Sequence, residues 1–159
     1  MEESFRTEDL LFMVKRLSLN MTAQLELNLK NKDMTGVQVY FLVYILRHHP
    51  QGTYLTELCR EIGVSKSTLS ALIKKLREKG YLHFHEDPDD VRKKKVLPTE
   101  KLLAEGDGFI RKADEMEKEI CSVLNGRERA QFMDLEEKLL TQFVRMEQNE
   151  KNRQEVYLQ

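Results

Sequence analysis

The amino-acid sequence predicts a mainly α fold that carries one small β-hairpin. Three observations lead there. Over long stretches at both ends of the chain, apolar residues recur at steps of three and four, which marks helical faces. Only around residues 81–97 does the pattern become short and aromatic-rich, split by the turn residues Asp87, Pro88 and Asp89. Pro50, Gly52, Gly63 and Gly80 punctuate the intervening segments where helices are expected to stop.

Taken in order, a first helix is expected over about 7 to 30. Leu10, Val14, Leu17, Met21 and Leu25 form its main stripe, while Phe12, Leu19, Leu27 and Leu29 lie off it. A helix that is apolar on more than one side needs more than one neighbour. Thr35 with Gln38 reads as a capping box, in which each side chain satisfies an exposed backbone N–H at a helix start. The nearly continuous apolar run Val37–Leu46 makes the helix that follows central. Thr53 and Tyr54 suit a very short strand.

Leu55 to Ile62 reads as a short helix with Leu55, Leu58 and Ile62 inward. Gly63 suits the left-handed position after it, and Ser65 is a good N-cap for the next helix. That helix runs over about 66 to 79, with Leu69, Leu72, Ile73 and Leu76 inward. Tyr81 to His85 is the first hairpin strand, and Val96 and Leu97 belong to the returning one. Thr99 caps a helix over about 100 to 124, with Leu103, Ile110, Ala113, Met116, Ile120 and Leu124 as its apolar face. Gly106 and Gly108 each weaken it by about 1 kcal/mol relative to Ala, so a bend or late start is expected. Asn125 and Gly126 break the chain. A last helix over about 127 to 150 carries Phe132, Leu135, Leu139, Phe143 and Met146 on one stripe.

The chain of 159 residues has a net charge of −1, but the charge is uneven. Residues 55–99 hold ten Lys or Arg against seven Asp or Glu, a net of +3, and the remainder holds sixteen against twenty, a net of −4. Positive charge therefore gathers on the helix-turn-helix and hairpin, as on a DNA-binding surface. No apolar run approaches the roughly 18 residues that span a bilayer. The acidic, polar start MEESFRTEDL is not a secretory signal, so a cytoplasmic protein without membrane contact is expected. Cys59 and Cys121 read as reduced thiols used as small apolar side chains, with redox sensing as the alternative.

Two helices, a tight turn between them and a following hairpin make a winged helix-turn-helix. Its second helix has an apolar docking face and, opposite it, the small or basic residues Ser67, Ser70, Ala71 and Lys74. Small side chains let a helix approach base edges, and hydroxyls bond bases or phosphates. Lys66 sits at the helix N-terminus, where phosphate is favoured, and Lys74, Lys75, Arg77 and Lys79 add charge. The consecutive basic residues Arg92 to Lys95 are read as the tip of the hairpin, or wing, which can reach the narrow minor groove. The candidate DNA-binding residues are Ser65, Lys66, Ser67, Thr68, Ser70, Ala71, Lys74, Lys75, Asp90, Arg92, Lys93 and Lys94. The blander alternatives are a solvated basic helix face and a charged loop kept for solubility.

Several segments, in order and spacing, resemble the MarR (multiple antibiotic resistance regulator) type of winged-helix regulator. They are Met34-Thr35 with Gln38 and Leu42, Leu55 to Leu58, Ile62-Gly63-Val64-Ser65, Ser70 through Leu76, Gly80-Tyr81-Leu82, and above all Asp90-x-Arg92 followed by Val96 and Thr99. The resemblance implies an obligate homodimer whose terminal helices intertwine, each subunit presenting one winged helix. It further implies that Arg92 enters the minor groove, that Asp90 holds Arg92, and that helix 66–79 reads the major groove. Relatives often sense a small molecule in the crevice beside the dimerisation helices. Met13, Met21, Phe41, Tyr44 and Met116 could line such an effector site here, or be ordinary core side chains. One departure is Pro98-Thr99-Glu100-Lys101-Leu102 where the family often has Leu-Thr-Glu-Lys-Gly. Pro98 lacks a backbone donor, which would end the second wing strand early.

The terminal helices carry more apolar surface than a winged helix can cover, so a two-fold partner is expected on physical grounds as well. Residues 1–34 and 100–159 are assigned to dimerisation and 35–99 to the DNA-binding domain. Two recognition helices would then read half-sites about 34 Å apart on a near-palindromic operator. The functional expectation is a sequence-specific transcriptional regulator, a repressor released by a small-molecule effector. The alternative is a winged-helix module that binds an acidic protein. No Gly-rich phosphate loop, nucleophile elbow or acid–base pair suggests an enzyme. His48 and His49 point to different helix faces, and His83 and His85 share a strand side without a matching Cys or carboxylate cluster. Neither metal nor cofactor is therefore expected.

Overall fold

The computed structural model describes residues 6–29 and 33–158, and for Thr7, Val91 and Arg92 the backbone alone. In chain order the elements are α1 (Thr7–Leu27), α2 (Gly36–His48), β1 (Thr53–Tyr54), α3 (Leu55–Ile62), α4 (Lys66–Glu78), β2 (Leu82–Asp87), β3 (Asp90–Pro98), α5 (Glu100–Ile120), a 3-10 turn at Cys121–Val123, and α6 (Gly126–Leu158). The fold is mainly α with one small antiparallel sheet, as the sequence predicts. The expected continuation of the first helix to residue 30 lies outside the described residues. Among the described residues no helix is long and apolar enough to cross a membrane.

Local chemistry sets most boundaries. The Gln38 amide donates to Thr35 Oγ1 and the Thr35 amide to Gln38 Oε1, both at 3.1 Å, which completes the capping box of α2. Gly63, at φ 80°, ends α3 in the left-handed region that favours glycine. Ser65 Oγ accepts from the Thr68 amide and so starts α4. Thr35→Ala removes one half of the capping box and should cost about 1 kcal/mol. Urea denaturation checks this, and an unchanged midpoint would dissociate the cap from stability.

The residues up to Met116 form one unit. Its core takes Leu25 from α1, Val39, Phe41, Leu42, Val43 and Ile45 from α2, Leu58 from α3, Leu69, Ile73 and Leu76 from α4, Tyr81, Leu82 and Val96 around the sheet, and Leu102, Phe109 and Ala113 from α5. The winged helix is thus built on α2, the most buried helix, with α4 docked by the apolar face that its spacing predicts. The buried face of α5 keeps part of the expected one, since Ala113 is core and Ile110 and Met116 pack against it, and corrects the rest. Leu102, Gly106, Phe109 and Ala113 face inward, while Leu103 is exposed. Phe109 meets Tyr81 edge-on at 5.7 Å between ring centroids. The late start expected from Gly106 and Gly108 does not occur, because α5 runs unbroken from Glu100 to Ile120. A Cβ on Gly106 would stand 2.6 Å from Leu46 Cδ1, so this glycine serves the approach of α2.

The sheet order is β1-β3-β2, with Thr53 opposite Val96 and Phe84 opposite Val96 on the other side. Contrary to expectation, β3 continues through Pro98, which pairs with Leu82. The next amide, Thr99, donates to the Tyr81 carbonyl on the β2 side. By alternation, the position of the missing Pro98 donor faces the other edge. The two-residue β1 has already ended there, so no ladder bond is lost.

The second unit begins at Glu117 and is dominated by α6. Asn125 and Glu128 form a capping box at its start, with bonds of 2.8 and 3.0 Å. The helix extends to Leu158, past the expected end near 150. Every residue of Gly126–Leu158 is exposed within the chain, including Phe132, Leu135, Leu139, Phe143 and Met146.

Candidate nucleic-acid interface

Docking α4 by Leu69, Ile73 and Leu76 turns its opposite face to solvent. Lys66, Ser67, Thr68, Ser70, Ala71, Lys74 and Lys75 are all exposed on that helix. The centre of the face carries only a hydroxyl and a methyl, and the cations stand toward its ends. Ser65 is committed to capping. Its hydroxyl bonds Thr68 Oγ1 at 2.8 Å and lies 3.2 Å from Ser67 Oγ, so the N-terminal hydroxyls form a small network of their own.

Lys79 was expected to add charge to this face, and the structure corrects that. Its ammonium donates to Gln38 Oε1 at 2.8 Å and to the Asp33 carbonyl, tying the end of α4 to the start of α2. Gln38 is therefore both helix cap and acceptor for Lys79, which explains how a 5%-exposed amide stays satisfied.

The wing differs from its sequence reading in one important respect. The turn falls at Pro88-Asp89, among the turn residues expected, but it is flanked by the paired residues Asp87 and Asp90, so the tip is acidic rather than basic. The Asp89 amide donates to Asp87 Oδ1 at 3.0 Å, the local bond that Asp favours in turns. The basic run lies on β3, with Lys94 opposite Glu86 and Lys95 opposite His85. Pairing then steps from Glu86–Lys94 directly to Asp87–Asp90. Residues 91–93 thus have no counterpart on β2 and form a bulge, a device that re-aims side chains. The Arg92 backbone lies in this bulge, and its side chain lies outside the described residues.

Between wing and helices lies a cleft of about 380 Å³, lined by Tyr54, Leu55, Thr56, Glu57, Lys66, Phe84, Lys93 and Lys94. Lys66 from the start of α4 and Lys93 and Lys94 from β3 thus share one concave surface. Phe84, which the sequence reading treated only as a strand residue, proves central here. The Arg77 guanidinium carbon stands 4.5 Å from its ring centroid and the Lys94 ammonium 5.7 Å. Its signal in the sequence was an aromatic residue followed by charged partners across the hairpin, visible only once the register is known.

The candidate effector residues do not gather in the clefts found on this unit, which none of them lines. Phe41 is core, Tyr44 and Met116 pack against the core, Met21 is half-buried and Met13 is exposed. Tyr44 instead donates to Glu61 Oε2 at 2.6 Å, and His49 Nε2 lies 2.7 Å from the same oxygen. Burial and this hydrogen bond push the Tyr44 hydroxyl up to about 12, and the bonds from Tyr44 and His49 hold Glu61 below the usual carboxylate range. The trio ties α2 to α3. Among the described residues no group of His, Cys, Asp or Glu is arranged to hold a metal ion.

Residues 32–93 match the model of the MarR family. No curated protein matches the chain at a significant level. Among solved structures it is similar to a MarR protein from Peptoclostridium difficile DA00132, at 24% identity and TM-score 0.76, covering 90% of this chain and 92% of that one. It is also similar to MepR of S. aureus in complex with DNA, at 22% identity and TM-score 0.73, covering 88% and 99%. A third is BpsR of Bordetella bronchiseptica, described for the regulation of its DNA binding by 6-hydroxynicotinic acid, at 19% identity and TM-score 0.71, covering 82% and 98%. At these identities the likeness is one of fold.

Proposed function

We propose that the chain, whose residues 32–93 match the model of the MarR family, is a winged-helix regulator of that family and a homodimeric, sequence-specific transcriptional repressor of the cytoplasm. The observation that carries this reading is the shared cleft at which Lys66 of α4 meets Lys93 and Lys94 of β3. Beside it, α4 offers a small-polar face of the kind that enters a major groove. The cations neutralise phosphates on either side of the inserted helix, and Arg92 of β3 is the residue assigned to the minor groove.

Each α6 exposes a full apolar stripe, and a two-fold partner that covers it would hold two winged helices at fixed spacing on a near-palindromic operator. The effector reading rests on the BpsR likeness and on Met13, Met21, Phe41, Tyr44 and Met116, of which Tyr44 and Met116 stand at the edge of the core. A small anionic aromatic compound is the ligand class to screen first.

Fluorescence anisotropy on the protein's own promoter tests the interface. Arg92→Ala should weaken specific binding by about 1–3 kcal/mol, roughly 5- to 150-fold, and relax sequence preference. Lys93→Ala should weaken binding evenly across sequences and lower the salt slope by about one. Wild-type affinity in the Arg92 variant would sink the wing assignment.

A further inference from the structure

We propose that Phe84 is a positioning residue. Its ring carries the cations of Arg77 and Lys94, and through them it fixes the wing against the recognition helix and so sets operator discrimination. This rests on the DNA-binding reading above. Within the hairpin, Leu82, Phe84 and Glu86 alternate onto one side, with Val96 and Lys94 opposite them on β3. Leu82 and Val96 are buried, Phe84 is half-buried, and Glu86 and Lys94 are exposed. Among the described side chains, Phe84 is thus the outermost apolar anchor on this side of the wing.

Beyond Phe84 the regular ladder survives for one more pair on this side, Glu86–Lys94, before the bulge at 91–93. A bare two-stranded ribbon is marginal in water, so the direction in which residues 91–93 leave the sheet depends on what holds its root. The holding contact comes from α4, since Arg77 lies over the Phe84 ring at 4.5 Å. A guanidinium stacked on a ring keeps its in-plane N–H donors free for a phosphate. The ring therefore orders Arg77 without consuming its hydrogen bonds. Lys94 approaches the same ring from β3, so wing and helix share one hinge.

The test uses the full chain and a duplex selected by the wild-type protein from a random pool, read by anisotropy, with hydrogen exchange of the free protein as an independent arm. Phe84→Leu keeps apolar volume and removes the π face. It should lower affinity for the selected duplex about fivefold, the worth of one exposed cation–π contact, with a smaller loss on non-specific DNA. Arg77→Gln should weaken the selected duplex at least as much and, by removing a phosphate-binding charge, weaken non-specific DNA as well. The double variant should fall no further than the worse single one, because both break the same ring contact. Phe84→Tyr should restore wild-type binding. Backbone amides of 85–94 should exchange faster in Phe84→Leu and in Arg77→Gln. Multiplicative losses in the double variant, failure of Phe84→Tyr to rescue, or unchanged exchange would each overturn the proposal. If the selection enriches no sequence, the DNA reading falls and exchange alone decides the positioning claim. If Phe84→Leu does not fold, Arg77→Gln, altered at an exposed helix position, carries the test.

Discussion

Leu139→Glu with Phe143→Glu should convert the proposed homodimer into a monomer of 18.8 kDa and abolish the proposed operator binding. Both side chains lie on the α6 stripe, 50% and 60% exposed within one chain. Among the described residues, none of the 33 in α6 is buried, so its apolar side is left open to solvent. Burying a Leu or Phe side chain contributes about 1.5–3 kcal/mol, and two-fold symmetry doubles each contribution. Removing both and placing carboxylates in an apolar interface should raise the dimer dissociation constant by several orders of magnitude, about tenfold for each 1.4 kcal/mol. Binding to a near-palindromic duplex follows, because one winged helix reads one half-site. Sedimentation velocity and anisotropy read the two effects. A doubly substituted chain that sediments as the wild type would place the interface elsewhere.

Gly36→Ala should be among the most destabilising single substitutions in the first unit. Gly36 opens α2 directly against α1, and a Cβ there would overlap the Thr22 carbonyl. The obstacle is backbone, so no side-chain rotation relieves it. The helices must separate, and the Gly36 amide contact to Glu26 Oε2, at 3.4 Å, goes with that movement. Overpacking typically costs about 1–3 kcal/mol, and the upper end applies where backbone must move. Gly108 is the matched control, because a Cβ there meets nothing within 4 Å. Gly108→Ala should stabilise α5 by up to about 1 kcal/mol through helix propensity. Urea denaturation of both variants checks the pair. Equal midpoints would show that α1 is free to shift on α2.

Much of the fold was legible in single residues. Thr35 with Gln38, Gly63, Ser65 and Gly80 mark their boundaries because capping and positive φ are local requirements, met by neighbours in the chain. The inward face of α4 was legible for a similar reason, since Leu69, Leu72, Ile73 and Leu76 leave one phase open. On α5 the stretch from Leu102 to Ala113 offers two overlapping stripes. Leu103 is as good a candidate as Leu102 until Leu46 seats against Gly106 and Phe109 meets Tyr81.

The candidate interface divides along the same line. Composition and spacing determine that the basic residues gather between 66 and 95, that a helix-turn-helix precedes a hairpin, and that the terminal helices carry spare apolar surface. Those properties depend on residue type and short-range periodicity. Tertiary structure alone decides that Lys79 serves α2, that the cations after the Pro88-Asp89 turn lie along β3 rather than at the wing tip, and that Phe84 meets Arg77. Each of these depends on strand register or on how one element lies against another. A shift of one residue in pairing carries every side chain of a strand to the other face, and the local sequence holds no information that excludes it.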